Sequence, residues 1–139
     1  MKLILDADVL IGALDESDAH HSRARELFTD WHREETPRLI SVINLSEVLI
    51  APAGDRRQLR RARTAIAALG VAIHQPNEAI GVEAARLRRV YPISLPDAYC
   101  LATARHVNGS IVSFDQKIIR AAQAERLTLA AAPGVENSS

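Results

Sequence analysis

The chain has 139 residues, 47% of them hydrophobic and 24% charged, with 17 basic and 17 acidic side chains that leave no formal net charge. That is enough chain for one domain with a real core, and too little bulk charge to announce nucleic-acid binding by itself. No run approaches the roughly 20 apolar residues of a membrane span, and the lone Cys100 rules out an internal disulfide or a thiolate metal cage.

In chain order, Lys2 to Leu5 reads as a short buried strand and Val9 to Leu14 as a helix. After a turn at Asp15 to Asp18, Ala24, Leu27, Phe28 and Trp31 recur at helical spacing, and Pro37 is expected to end that second helix. Arg38 to Val42 reads as a strand, NLSEVLIA as a helix opened by Asn44, RRQLRRAR as the start of an arginine-rich helix, and VAIH after Gly70 as a third strand. Glu78 to Val90 reads as a helix. The next helix has Ser94 as its cap, Pro96 in its first turn and Gly109 as its stop. SIVSF is a fourth strand, DQKIIRAAQAE a helix, LTLA a last strand, and the polar end of the chain, residues 134–139, a frayed tail behind a single domain spanning 1–133. Short apolar strands alternating with helices predict a three-layer α/β/α sandwich around a short, mostly parallel sheet. The start MKLILDAD has no signal-peptide cleavage region, so a cytoplasmic protein is expected.

Four carboxylates occupy comparable places in this layout. Asp6 ends the first strand, Glu47 and Asp97 lie in the first turns of their helices, and Asp115 sits between the fourth strand and the helix after it. Singly, each has a structural explanation: Asn44 with Glu47 and Ser94 with Asp97 have capping-box spacing, and Asp115 can cap its helix. Together they converge, because in an open parallel sheet the carboxyl ends of the strands and the following helix starts share one edge. Three carboxylates about 5 Å apart repel by roughly 3 kcal/mol per pair at an effective dielectric of about 20, a total that rivals the stability of a whole domain. Such a cluster calls for a cation. An all-oxygen donor set selects hard ions, Mg²⁺ or Mn²⁺, over zinc.

The residues LILDADVLIGALD, INLSEVLIAP, SLPDAYCLATA and IVSFDQKI, in this order and spacing, resemble those of the PIN-domain ribonucleases, and among them the small VapC-type toxins of bacterial toxin–antitoxin pairs. The resemblance spans essentially the whole chain. It implies a PIN-like fold and assigns Asp6, Glu47, Asp97 and Asp115 to an acidic metal site. Ser113 then matches the hydroxyl residue two before the last acid. Asp8 departs from the pattern, where Asn or Ser is more usual, and is left either behind the site or enlarging it. The resemblance further implies an endoribonuclease that leaves a 5′-phosphate and a 3′-hydroxyl, a cognate VapB-like antitoxin that blocks the cleft with a basic side chain, and a homodimer.

For phosphate contacts, the arginine stripe Arg56, Arg57, Arg60, Arg61 and Arg63, or the group Arg86, Arg88 and Arg89, are the candidates, although a basic helix face is as readily a solvated one. The five histidines have no metal-ligand spacing and none is expected at the site. The aromatics are scattered, most of them expected in the core with no stacking platform, while Trp31 and the apolar faces of the first two helices are candidate partner contacts. Competing readings are a housekeeping RNA-processing nuclease, a non-catalytic binding module of the same fold, a receiver domain lacking its phosphoacceptor, and a haloacid dehalogenase-like phosphatase. The last shares an early Asp-x-Asp but lacks a catalytic lysine with a later acid pair.

Overall fold

The computed structural model describes residues 1–130; the expected frayed tail and the boundary at residue 133 lie outside them. Four short strands, β1 (Leu3–Leu5), β2 (Arg38–Ser41), β3 (Ala72–His74) and β4 (Ser110–Val112), form one parallel sheet in the order β3-β2-β1-β4. Seven helices surround it: α1 (Ala7–Leu14), α2 (His21–Arg33), α3 (Val42–Leu49), α4 (Arg56–Ala68), α5 (Glu78–Val90), α6 (Leu95–Val107) and α7 (Gln116–Ala124).

The two-residue period of the strands separates two cores. Leu3, Leu5, Ile40 and Val112 pack with α1 to α4 through Val9, Leu10, Phe28, Trp31, Val48 and Ile66. Ile4 and Ile111 pack on the opposite face with Ile80, Leu87, Leu101 and Ile118 of α5, α6 and α7. Three layers result. The order also fixes where a ligand can bind: the chain leaves β1 for β2 and β3 on one side and returns to β4 on the other, so the β1/β4 crevice is the topological switch point of the sheet.

Several local expectations change in the folded chain. The second helix ends at Arg33, before Pro37, because Glu35 turns left-handed at φ 54° and the Thr36 N–H reaches back to the Trp31 carbonyl at 2.9 Å. No loop separates β2 from α3. Ser41 caps the helix through its side chain, whose Oγ accepts from the Ile43 N–H at 3.2 Å, so Asn44 lies inside the helix, fully buried, and Glu47 falls in the second turn. Helix α6 is stopped by Asn108 in the left-handed region at φ 55°, one residue before the expected Gly109. Gly109 serves a close approach instead: a Cβ there would stand 2.7 Å from Ile4 Cγ1 and 3.0 Å from the Lys2 carbonyl oxygen. Of the expected last strand, the described residues keep a single parallel bridge, Leu129 beside Ile111.

Candidate active site

Asp6 follows β1 directly and is the N-cap of α1. Its Oδ1 accepts from the Ala7 N–H at 2.8 Å, and its backbone N–H continues the sheet to the Val112 carbonyl. Only 4% exposed, it receives a 2.8 Å hydrogen bond at Oδ2 from the hydroxyl of Ser113, itself buried just past β4. The same Ser113 oxygen accepts from the Asp115 N–H at 3.0 Å, and Asp115 caps α7 through the Lys117 N–H at 2.8 Å. The ends of β1 and β4 are thus tied together by one hydroxyl between the Asp6 carboxylate and the Asp115 backbone N–H.

Asp8, in the first turn of α1, accepts from the Phe114 N–H at 3.0 Å through Oδ2, while its buried Oδ1 has no donor. From α6, Asp97 completes a capping box with Ser94, both bonds at 3.2 Å. The structural reading of that spacing is therefore realised alongside the convergence. Glu47 comes in from α3, where Asn44 bridges the elements: its Nδ2 donates to the Pro96 carbonyl at 3.0 Å and to Glu47 Oε1 at 3.4 Å. The Asn44 Oδ1 is buried without a donor.

The electrostatics show the acids acting on one another. Burial, then the charge of Asp8 and more weakly that of Asp97, holds the Asp6 carboxyl well above the usual range, against the opposing bond from Ser113. Asp8 is pushed up to about 6, chiefly by burial, with Asp115 adding to the rise. Glu47 is raised by burial and by Asp97. Beneath them, the fully buried Cys100 thiol is raised first by burial and then by Asp6, Asp8, Asp97 and Glu47 together, so four acids are felt at a single point of α6. Asp6, Asp8, Asp97 and Glu47 therefore lie near enough to one another to perturb one buried group. Asp115 joins through Ser113 and Asp8.

Among the described residues, no three His, Cys, Asp or Glu side chains stand close enough to hold an ion as they are. Their oxygens rest on local donors: Ala7, Ser94, Lys117 and Ser113. The donor set nevertheless fits a hard divalent cation. It is all oxygen, it is crowded with like charge, and two buried acceptors beside it, Asp8 Oδ1 and Asn44 Oδ1, face no donor.

Two features were not legible in the sequence. His20 and Phe114 stack with ring centroids 4.3 Å apart and planes at 23°, immediately beside Asp8. Asn44, expected as a cap, joins α3 to α6. Of the arginines, Arg56, Arg57, Arg60 and Arg61 are exposed on α4 and Arg89 on α5, whereas Arg86 is engaged by Glu83 and Glu125 at 2.8 and 2.6 Å. Trp31, a candidate either for partner contact or for the core, is 7% exposed and packs edge-on to Phe28 in the core. Between α1, α3 and α4 runs a groove of about 510 Å³ lined by Ile11, Leu14, Val48 and Ala65, with Glu47 and Arg61 on its walls.

A parallel sheet with this order, carrying acids at its switch point, defines an α/β domain with an acidic site at the carboxyl edge of its strands. The chain belongs to the PIN domain family, whose pattern matches residues 3–124. The family is one of nucleases that generally use divalent metals. No curated protein matches the chain. Among solved structures, a toxin–antitoxin complex from Klebsiella pneumoniae superposes with a TM-score of 0.67 at 25% identity, over 85% of this chain and 90% of that one. VapC20 of Mycobacterium tuberculosis, described as a Sarcin-Ricin loop cleaving toxin, gives 0.71 at 17% identity over 86% and 95%. FitAcB from Neisseria gonorrhoeae gives 0.68 at 18% identity over 93% and 96%. The resemblance read from the sequence holds for family and fold. No helix among the described residues is long and apolar enough to cross a membrane.

Proposed function

We propose that this chain is a Mg²⁺- or Mn²⁺-dependent endoribonuclease acting as the toxin of a toxin–antitoxin pair. The observation that carries the reading is the Asp6–Ser113–Asp115 linkage at the β1/β4 switch point, with Asp8, Asp97 and Glu47 electrostatically coupled around it. Asp6, Asp97, Asp115 and Glu47 would hold the ion, with Asp8 behind Asp6. A bound divalent ion supplies Lewis-acid stabilisation of phosphate charge and a nucleophilic water at neutral pH.

The protein's own contribution is orientation. Ser113 and the Ala7 N–H fix both oxygens of Asp6, and the capping box fixes Asp97, so the acids present their charge at one edge without rotamer freedom. The exposed arginines of α4 suit phosphate contacts that position a strand without reading its sequence. An antitoxin fits the groove of about 510 Å³, whose apolar walls end at Glu47, where a basic side chain would meet the acids. The Klebsiella neighbour, described as a toxin–antitoxin complex, supports that partner. A homodimer and a cytoplasmic location belong to the same reading.

The test is cleavage of single-stranded RNA by purified protein with Mn²⁺ or Mg²⁺, with chelator, and by Asp97→Asn. Cleavage that needs the ion, leaves 5′-phosphates and disappears in Asp97→Asn supports the reading. Cleavage that persists in chelator or in the variant contradicts it.

A further inference from the structure

Acids gathered at the β1/β4 edge repel the very polyanion they are to cut, so a strand seated there needs a grip that does not depend on charge. The His20–Phe114 stack stands at that place. Phe114 lies between Ser113 and Asp115, and its backbone N–H is held by Asp8 Oδ2 at 3.0 Å, which anchors its backbone to the acid cluster. His20 lies across it at 4.3 Å and 23° while remaining an exposed residue, so the pair is not sealed in the core.

The loop that brings His20 there is built, not slack. Asp15 Oδ1 accepts from both the N–H and the hydroxyl of Ser17, at 2.9 and 2.7 Å. Asp18 Oδ1 accepts from the His20 N–H at 2.8 Å, and His21 Nδ1 meets the Gly12 carbonyl oxygen at 2.8 Å. The His20 carbonyl in turn receives the Ala24 N–H at 2.8 Å as α2 begins. Hydrogen bonds on both sides set the His20 backbone, the stack on Phe114 orients its ring, and a platform ordered in advance loses little entropy on binding.

We propose that His20, backed by Phe114, is a nucleobase-stacking platform that seats the base next to the scissile phosphate against the rim of the acidic cleft. The inference rests on the ribonuclease reading above and adds a substrate contact to it. Every base has a π-face, so such a platform grips single strands without selecting among bases, and it works where phosphate contacts are weakened by neighbouring acids. His20 acts here as a ring. The aromatic character of the pair carries the effect.

The experiment uses a short single-stranded oligoribonucleotide with 2-aminopurine placed at each position in turn, mixed with wild type, His20→Ala and His20→Phe in the presence of Mn²⁺. The early fluorescence and the steady-state cleavage are then followed. Wild type is expected to quench the probe at one position beside the cleaved bond. His20→Ala is expected to lose that quenching and raise KM about tenfold with kcat unchanged, and His20→Phe to restore both. An active His20→Ala with wild-type KM and quenching overturns the platform while leaving the nuclease intact. A His20→Phe that is no better than His20→Ala, with an altered pH profile of kcat, also overturns it, because the imidazole proton would then be what matters. If wild type cleaves no RNA at all, the ribonuclease reading falls first and takes the platform with it.

Discussion

The Ser113 hydroxyl donates to Asp6 Oδ2 at 2.8 Å across the switch point, 107 residues apart in sequence, and accepts from the Asp115 N–H at 3.0 Å. One buried oxygen thus fixes the acid at the end of β1 and the acid after β4 in a single unit. Removing it leaves the Asp115 N–H and a buried carboxylate oxygen without their partner.

Ser113→Ala is expected to destabilise the fold by about 1–3 kcal/mol, the cost of stranding such groups. Because the Ser113 bond lowers the Asp6 pKa, its loss raises that carboxyl further and shifts the acid limb of any ion-dependent activity upward in pH. Thermal unfolding and a pH–rate profile check both effects; an unshifted profile would detach Ser113 from the chemistry.

Asp8→Asn is expected to stabilise the ion-free protein. With the folded-state pKa raised to about 6, above its unfolded value, wild type takes up protons on folding, so it loses stability as pH rises from about 4 through 6. An amide carries no such charge and keeps an acceptor for the Phe114 N–H. The gain should be about 1–3 kcal/mol at pH 7 and vanish toward pH 4, as read from denaturant melts with chelator present. Lower stability of the variant at pH 7 would mean that the carboxylate is already compensated.

Gly109→Ala tests the close approach of the α6–β4 turn to β1. The added Cβ meets Ile4 Cγ1 at 2.7 Å and the Lys2 backbone at 3.0 Å, and Ile4 is fully buried, so neither neighbour gives way freely. A loss of about 1–3 kcal/mol is expected, with the β1/β4 register disturbed and ion binding weakened as a consequence. Wild-type stability would show that the turn relaxes.

Away from the site, Glu125 gathers α5, α6 and the end of α7 by accepting from Arg86 at 2.6 Å, Arg105 at 2.8 Å and the Tyr91 hydroxyl. The Arg86 hydrogen bond is the main cause holding the Glu125 and Glu83 carboxyls below their usual range. A depressed folded-state pKa gives stability that is complete above the ordinary glutamate value and is lost as pH falls through the folded one. Glu125→Gln should therefore cost about 1 kcal/mol at neutral pH and flatten the acid limb of the stability curve, measured by melts from pH 7 down to pH 3. An unchanged acid limb would assign the network no part in acid sensitivity.

Much of this site could be read from the sequence because its acids sit at local signals. Asp6 and Asp115 stand where apolar runs stop and helices start, and Asp97 lies three residues after a capping serine; each is a short-range pattern that folding preserves. The four strands of the sheet were legible for the same reason, with boundaries shifting by a residue or two, whereas the expected last strand is a single bridge. What escaped depended on tertiary contact. Asn44 reads as a cap because Asn is a good one, yet Ser41 takes that role and burial turns Asn44 into a bridge between α3 and α6. The His20–Phe114 pair joins two loops 94 positions apart, which no periodicity can reveal. Arg86 resembled a phosphate contact in one dimension and is occupied by two glutamates in three.

Asp6, Asp97 and Asp115 are proposed to serve one ion. Calorimetric titration of Mn²⁺ into wild type, Asp6→Asn, Asp97→Asn and Asp115→Asn measures that directly. Binding to wild type that disappears in all three folded variants is the predicted result. Wild type that binds no Mn²⁺, or variants that bind as wild type does, would contradict it and leave the acids as helix caps on a PIN fold.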